Sequence, residues 1–152
     1  LTLLDMKTGA LNFDFLFSDD GKFYFLELGP RNGGCLIPEV IRYSTEVDLI
    51  KYTVDAALGL DCTGLEMKPT QGYWSSYMVH SLENGKFKEL WLSERVQKYI
   101  VEQDIQVKTG DQVSKYGGSH DTLGTMILKY PSLEEMLDMV DNMEKDILVV
   151  TE

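Results

Sequence analysis

"NFDFLFSDDGKFYFLELGPRNGG", residues 12–34, holds two alternating apolar runs separated by a turn signal, and each run carries one acid, Asp14 and Glu27. Asp20-Gly21 is a favoured two-residue turn dipeptide, because a type I′ turn needs positive φ at both central positions. That turn predicts a ladder pairing Phe17 with Tyr24, Leu16 with Phe25, Asp14 with Glu27 and Asn12 with Gly29. Side chains alternate across a strand, so Asn12, Asp14, Leu16, Phe25, Glu27 and Gly29 are expected on one face. Phe13, Phe15, Phe17, Tyr24, Leu26 and Leu28 fall on the other, as an apolar core wall.

Directly opposed side chains sit about 4.5–5.5 Å apart at Cβ, and like charges there destabilise a sheet. At an effective protein dielectric, two ionised carboxylates at that range repel by on the order of a few kcal/mol. A hard divalent cation held by both would offset the repulsion, and Mg²⁺ typically takes one or two carboxylates plus substrate phosphates. The plainer alternative is a solvated polar face in a chain with 25 acidic residues. The next residues favour a site: Gly29-Pro30-Arg31-Asn32-Gly33-Gly34 ends the strand, frees the backbone for positive φ and sets a guanidinium beside the acids. Arginine suits phosphate or carboxylate in fork geometry.

The string from Gly9 to Gly34, with its N-x-D strand, D-G turn and F-L-E-L-G-P-R-N-G-G, resembles the C-terminal part of an ATP-grasp domain, the nucleotide-binding unit of ATP-dependent carboxylate–amine ligases and biotin-type carboxylases. The resemblance implies that Asp14 and Glu27 hold Mg²⁺ or Mn²⁺ bridging the phosphates of ATP. Arg31 matches the arginine of the family's P-R pair, used on the acyl phosphate or the substrate carboxylate. Asn12 falls where a polar or basic residue faces the phosphoryl acceptor. Gly29 departs from the pattern, which has Asn there as a ligand to a second metal. The similarity is strong over about the first sixty residues and pattern-level beyond.

The chain has 152 residues, 43% of them hydrophobic and 11% aromatic, enough for one domain or two small units with a core. A net charge of −11 excludes a phosphate-backbone surface. Much of that charge is local: Glu134, Glu135, Asp138, Asp141, Glu144, Asp146 and Glu152 stand against Lys145 alone, and read as a solvated helix face. Cys35 and Cys62 form neither a disulfide framework nor a zinc pattern, which points to a reducing, cytoplasmic setting. Cys35 is read as a small buried residue. No apolar run reaches the ~20 residues of a membrane span, and no signal peptide is visible. The chain opens on Leu1-Thr2-Leu3-Leu4-Asp5 without an initiator Met, as though inside a helix packed on the hairpin, and reads as an excised piece.

The fold class expected is α+β: an antiparallel sheet with packed helices over 1–62, then a small β-rich unit with a terminal helix over 63–152. Ser44-Thr45 is expected to cap one amphipathic helix carrying Val47, Ile50, Lys51, Val54, Ala57 and Leu58 on its inner face and stopping at Gly59. Tyr73–Leu82 and Phe87–Leu92 read as a hairpin turned by Glu83-Asn84-Gly85. Strands are also expected around Ile100–Asp104, at Gln112-Val113 and over 121–129. Ser132 opens a capping box with Glu135, and Leu133, Met136, Leu137, Val140, Met143 and Ile147 form one helical stripe read as core.

His80 alternates within an aromatic strand and reads as a satisfied, partly buried residue, while His120 sits in a glycine-rich loop of the kind that can approach a site. Gly117-Gly118 lacks the lysine of a phosphate loop. The function that follows from the resemblance is the C-terminal fragment of a ligase that activates a carboxylate as an acyl phosphate with Mg-ATP and passes it to an amine or another nucleophile. Its partners are small-molecule carboxylate and amine substrates and the missing N-terminal part of the parent enzyme, with room for a homodimer and none for nucleic acid or membrane. The fragment alone is expected to be inactive. The competing readings are a non-catalytic module for assembly or ligand sensing, which Gly29 favours slightly, and a plain β-rich interaction domain.

Overall fold

The computed structural model describes Leu3, Asp5, Met6 and residues 8–152. Two compact units divide between Thr70 and Gln71. The helix expected at Leu1–Asp5 rests on Leu1, Thr2 and Leu4, which lie outside the described residues.

In the first unit, β1 (Asn12–Phe17) pairs antiparallel with β2 (Phe23–Gly29) as a two-stranded sheet. At the end far from the turn the register is the expected one, with Asn12 opposite Gly29 and Asp14 opposite Glu27. Between Asp14 and Phe15 it shifts by one residue, so that Phe15 pairs with Phe25, Leu16 with Tyr24 and Phe17 with Phe23. The cause is the turn. Ser18 N–H donates to Lys22 O and Gly21 N–H to Ser18 O, both at 2.9 Å, which makes a three-residue loop with Gly21 at φ 78° instead of the two-residue loop read from Asp-Gly. Leu26 is the extra residue, and the resulting bulge turns Phe23 and Phe25 onto the phenylalanine face. Ring centroids lie 6.0 Å apart for Phe13–Phe25, 5.2 Å for Phe15–Phe23 and 4.7 Å for Phe17–Phe23. This face is not a core wall: Phe13 is 53% exposed and Phe23 68%.

Two helices follow where one was expected. α1 (Ile37–Thr45) begins beside Pro38 and ends on Glu46 in the left-handed region, so Ser44 and Thr45 close a helix and do not open one. α2 (Leu49–Ala57) is capped by Asp48, whose carboxylate accepts from Lys51 N–H at 2.8 Å. Gly59, at φ 71°, supplies the expected stop. The inner face of α2 is Leu49, Tyr52, Thr53 and Ala56, which line a cavity of about 240 Å³. Ile50, Val54 and Leu58, expected inside, are exposed.

The second unit is built on β3 (Tyr73–Val79), β4 (Gly85–Leu92), α3 (Glu94–Gln97), β5 (Ile100–Ile105), β6 (Gln112–Val113), β7 (Gly124–Tyr130), α4 (Leu133–Asn142) and β8 (Ile147–Thr151). Its strands form two antiparallel sheets, ordered β3-β7-β5 and β6-β4-β8. β3 and β4 are therefore not a hairpin, although Glu83-Asn84-Gly85 lies between them; each takes a partner distant in sequence, because β7 and β8 offer buried apolar faces. Gly124 is required where β7 passes β5: a Cβ there would lie 2.5 Å from Asp104 O. Met126, Leu128 and Tyr130 of β7 pack with Val79, Val96, Met139, Met143 and Ile147 in one core.

Ser132 caps α4, accepting from Glu135 N–H at 3.1 Å as the capping box requires. The buried face of this helix is Met136 and Met139, while Leu133, Leu137 and Val140 of the expected stripe are about half exposed. Ile147 belongs to β8, so the chain closes on a strand and not on the expected terminal helix.

Candidate functional site

The strand ends of β1 and β2 and the loop after them gather the residues singled out in the sequence. Asp14 and Glu27 are direct cross-strand partners and share a face. Asn12, two residues further out on the same face, donates from Nδ2 to Asp14 Oδ1 at 2.8 Å, which orients that carboxylate. Gly29 lies opposite Asn12. With no side chain at Gly29, Arg31 folds back over it: Cγ, Nε and Cζ of Arg31 lie 3.5, 3.7 and 3.8 Å from the place a Cβ would take. Arg31 N–H donates to Gly29 O at 2.8 Å, tightening the turn at Pro30, and its guanidinium donates from Nη1 to Asn32 O at 2.9 Å.

Two residues not assigned from sequence anchor this loop. Asn32 donates from Nδ2 to Thr53 Oγ1 of α2 at 2.8 Å. Gly33 lies against Asn12, whose Oδ1 would be 3.2 Å from an added Cβ, with Ile37 Cδ1 at 3.0 Å. An amide directly after a P-R pair was the only signal of the Asn32 anchor, and a signal of that kind does not reveal its partner. Cys35 and Leu36 follow in the left-handed region at φ 55° and 62°. Cys35 is exposed, not buried as expected. In the first turn of α1, Glu39 Oε2 is a buried oxygen that finds no donor among the described residues, a state that is costly for a carboxylate.

Two carboxylates on adjacent strands are hard oxygen donors and fit a Mg²⁺ or Mn²⁺ ion whose remaining positions are filled by phosphate oxygens and water. Among the described residues no group of three or more His, Cys, Asp or Glu side chains is placed to hold a metal. Asp14 and Glu27 are thus two oxygen-donor side chains at this point, and Gly29 offers none. His120 is far from buried, with its side chain 81% exposed and Nε2 3.3 Å from Asp121 Oδ2. His80 is half-buried, its Nδ1 2.7 Å from Met78 O, the satisfied arrangement expected of it.

A two-stranded hairpin followed by two helices and a small antiparallel unit matches the fold of the C-terminal part of ATP-grasp enzymes. It is shared with phosphoribosylglycinamide synthetase from Anaerococcus prevotii at 21% identity and a TM-score of 0.71, over 95% of this chain and 37% of that one. L-amino acid ligase from Bacillus licheniformis superposes with a TM-score of 0.80 at 17% identity, over 99% of this chain and 38% of that one. The biotin carboxylase domain of 2-oxoglutarate carboxylase from Hydrogenobacter thermophilus, solved with MgADP, ADP and bicarbonate, matches at 16% identity and a TM-score of 0.65, over 93% of this chain and 32% of that one. The chain therefore spans about a third of the length of these structures. No protein-family profile matches the sequence, and no curated protein sequence matches it.

Proposed function

We propose that this chain is the C-terminal part of a cytoplasmic ATP-dependent ligase that activates a small-molecule carboxylate as an acyl phosphate and joins it to an amine or other nucleophile. The observation that carries the reading is the direct pairing of Asp14 with Glu27 beside Asn12 and Arg31. Asp14 and Glu27 would hold Mg²⁺ or Mn²⁺, which when bound neutralises charge on the phosphates of ATP. Asn12 keeps the Asp14 carboxylate in place. Arg31, a permanently charged fork lying over Gly29, would take the transferring phosphoryl group or the carboxylate oxygens and hold them in line.

The exposed phenylalanine face of the hairpin supports a larger parent, since a two-stranded hairpin is at best marginally stable alone. The N-terminal part of that parent is the partner that would cover it, and would bring the remaining contacts to nucleotide. Hydroxylamine trapping tests the chemistry. The longer polypeptide containing this chain should give an acyl hydroxamate with its carboxylate substrate and Mg-ATP, and Glu27→Gln should abolish it. ATP consumption with undiminished hydroxamate in Glu27→Gln would remove the metal assignment. Micromolar ATP affinity of the 152-residue chain alone, by calorimetry, would contradict the fragment reading.

A further inference from the structure

The second unit contains a cleft of about 330 Å³ that the ligase reading does not use. Tyr77 at the end of β3, His80 just after it, Glu83 in the β3–β4 connection and Glu144 before β8 line it, with Leu82 and Leu148 on its wall. No lysine or arginine lines it. Among the described residues neither the Glu83 nor the Glu144 carboxylate has a hydrogen bond or ion pair, and Lys145, next to Glu144, donates instead to Asn142 Oδ1 at 2.6 Å.

The aromatic side of the cleft is held in place. The His80 ring lies 4.7 Å from the Tyr116 ring and 5.7 Å from that of Tyr77, and its Nδ1 is tied to Met78 O. Glu83 is fixed through its backbone, whose N–H donates to Ser81 Oγ at 3.2 Å while its C=O accepts from Ser81 Oγ at 2.6 Å. Burial raises the Tyr77 hydroxyl above its ordinary value, and the nearby Glu144 charge adds to the effect.

We propose that this cleft, in which two unpaired carboxylates flank the Tyr77 and His80 rings beside exposed leucines, binds a small organic ammonium ion. An anion would meet two negative charges and no positive one. A bare metal ion lacks the required ligands, since no group of three candidate metal-binding side chains occurs among the described residues. A neutral apolar molecule would cover the carboxylates without pairing them, which is unfavourable. An ammonium on a short hydrocarbon stem satisfies each part of the wall: ion pairs with the two acids, cation–π contact with the Tyr77 ring and apolar contact with Leu82 and Leu148.

The test is proton NMR of the 152-residue chain titrated with n-butylammonium, with 1-butanol and butyrate as neutral and anionic controls. His120, the other of the two histidines, reports non-specific effects. Expected is a saturable shift of the His80 ring signals by n-butylammonium alone, weakened about three- to fivefold by Glu83→Gln and by Glu144→Gln, as the loss of one partly exposed ion pair implies. Using two variants keeps the test decisive if one disturbs folding. An equal response to 1-butanol, a shift shared by His120, no saturation, or unchanged affinity in a folded glutamine variant each overturns the proposal.

Discussion

Glu27 stands directly across the β1–β2 ladder from Asp14, and among the described residues only Asp14 has a hydrogen bond from a neighbouring side chain, that of Asn12. The Arg31 guanidinium donates to Asn32 O. The two acids share a face, and among the described residues neither forms an ion pair with an arginine or lysine, an arrangement that favours a cation over a structural role.

The first prediction follows from that asymmetry. Opposed like charges on a sheet cost on the order of 0.2–1 kcal/mol, so Glu27→Gln should leave the chain as stable or more stable by up to about that amount in thermal unfolding without divalent ions. Asp14→Ala, which also removes the acceptor for Asn12, should not show this gain. A clearly destabilised Glu27→Gln chain would make Glu27 structural and end its assignment as a metal ligand.

The second prediction separates the two faces of α4. Met139 is fully buried and Leu137 is 52% exposed. Met139→Ala should cost about 2–5 kcal/mol in chemical denaturation, whereas Leu137→Ala should change stability by no more than about 0.5 kcal/mol. Equal losses would return Leu137 to the core, where the sequence reading has it.

That stripe illustrates what the sequence conceals. The expected stripe joins Leu133, Leu137 and Val140, which are about half exposed, to Met136, Met143 and Ile147, which belong to or pack on the core, because periodicity cannot say which of two adjoining apolar rows meets a sheet. α2 was misread for the same reason, with Ile50 and Val54 chosen over Leu49 and Tyr52. The Asp14–Glu27 pair follows in the sequence from counting back a two-residue Asp-Gly turn, and it holds in the structure because the bulge at Leu26 offsets the extra residue of the three-residue loop. Nearer the turn, Asp-Gly fits two-residue and three-residue loops alike, and the compensating bulge at Leu26 has no composition signal. Glu83-Asn84-Gly85 reads locally as a hairpin turn, yet β3 and β4 pair with β7 and β8, a choice made by burial over a distance in sequence that no local pattern encodes.

The third prediction uses a close approach of backbone. An added Cβ at Gly124 would lie 2.5 Å from Asp104 O and 2.9 Å from Ile105 Cδ1. The first of these neighbours is backbone in a paired strand and cannot swing aside. Gly124→Ala should destabilise the second unit by about 1–3 kcal/mol, read as a lower denaturation midpoint. A chain unchanged in stability would mean that β5 and β7 are spaced more loosely there than the structure has them.

The last prediction concerns pH. Arg95 donates from Nε to Glu135 Oε1 at 2.9 Å and from Nη2 to Asp138 Oδ2 at 2.6 Å, and Tyr99 donates its hydroxyl proton to Glu135 Oε1 at 2.9 Å. These contacts tie α3 and the turn before β5 to α4. The Arg95 guanidinium, and after it the Tyr99 hydroxyl, hold the Glu135 carboxyl below its ordinary 4.5. A carboxyl depressed in the folded state contributes stability that is complete above the unfolded value and disappears as pH falls through the folded one. The melting temperature of the chain should therefore fall with acidification below about pH 4.5, and Glu135→Gln should flatten that part of the profile while lowering stability near neutrality. Because Arg95 is exposed enough for salt to screen it, the difference between the two profiles should shrink in concentrated NaCl. Parallel profiles for the chain and Glu135→Gln between pH 3 and 7, at low salt, would show that the Arg95–Glu135–Tyr99 cluster contributes nothing to the acid transition.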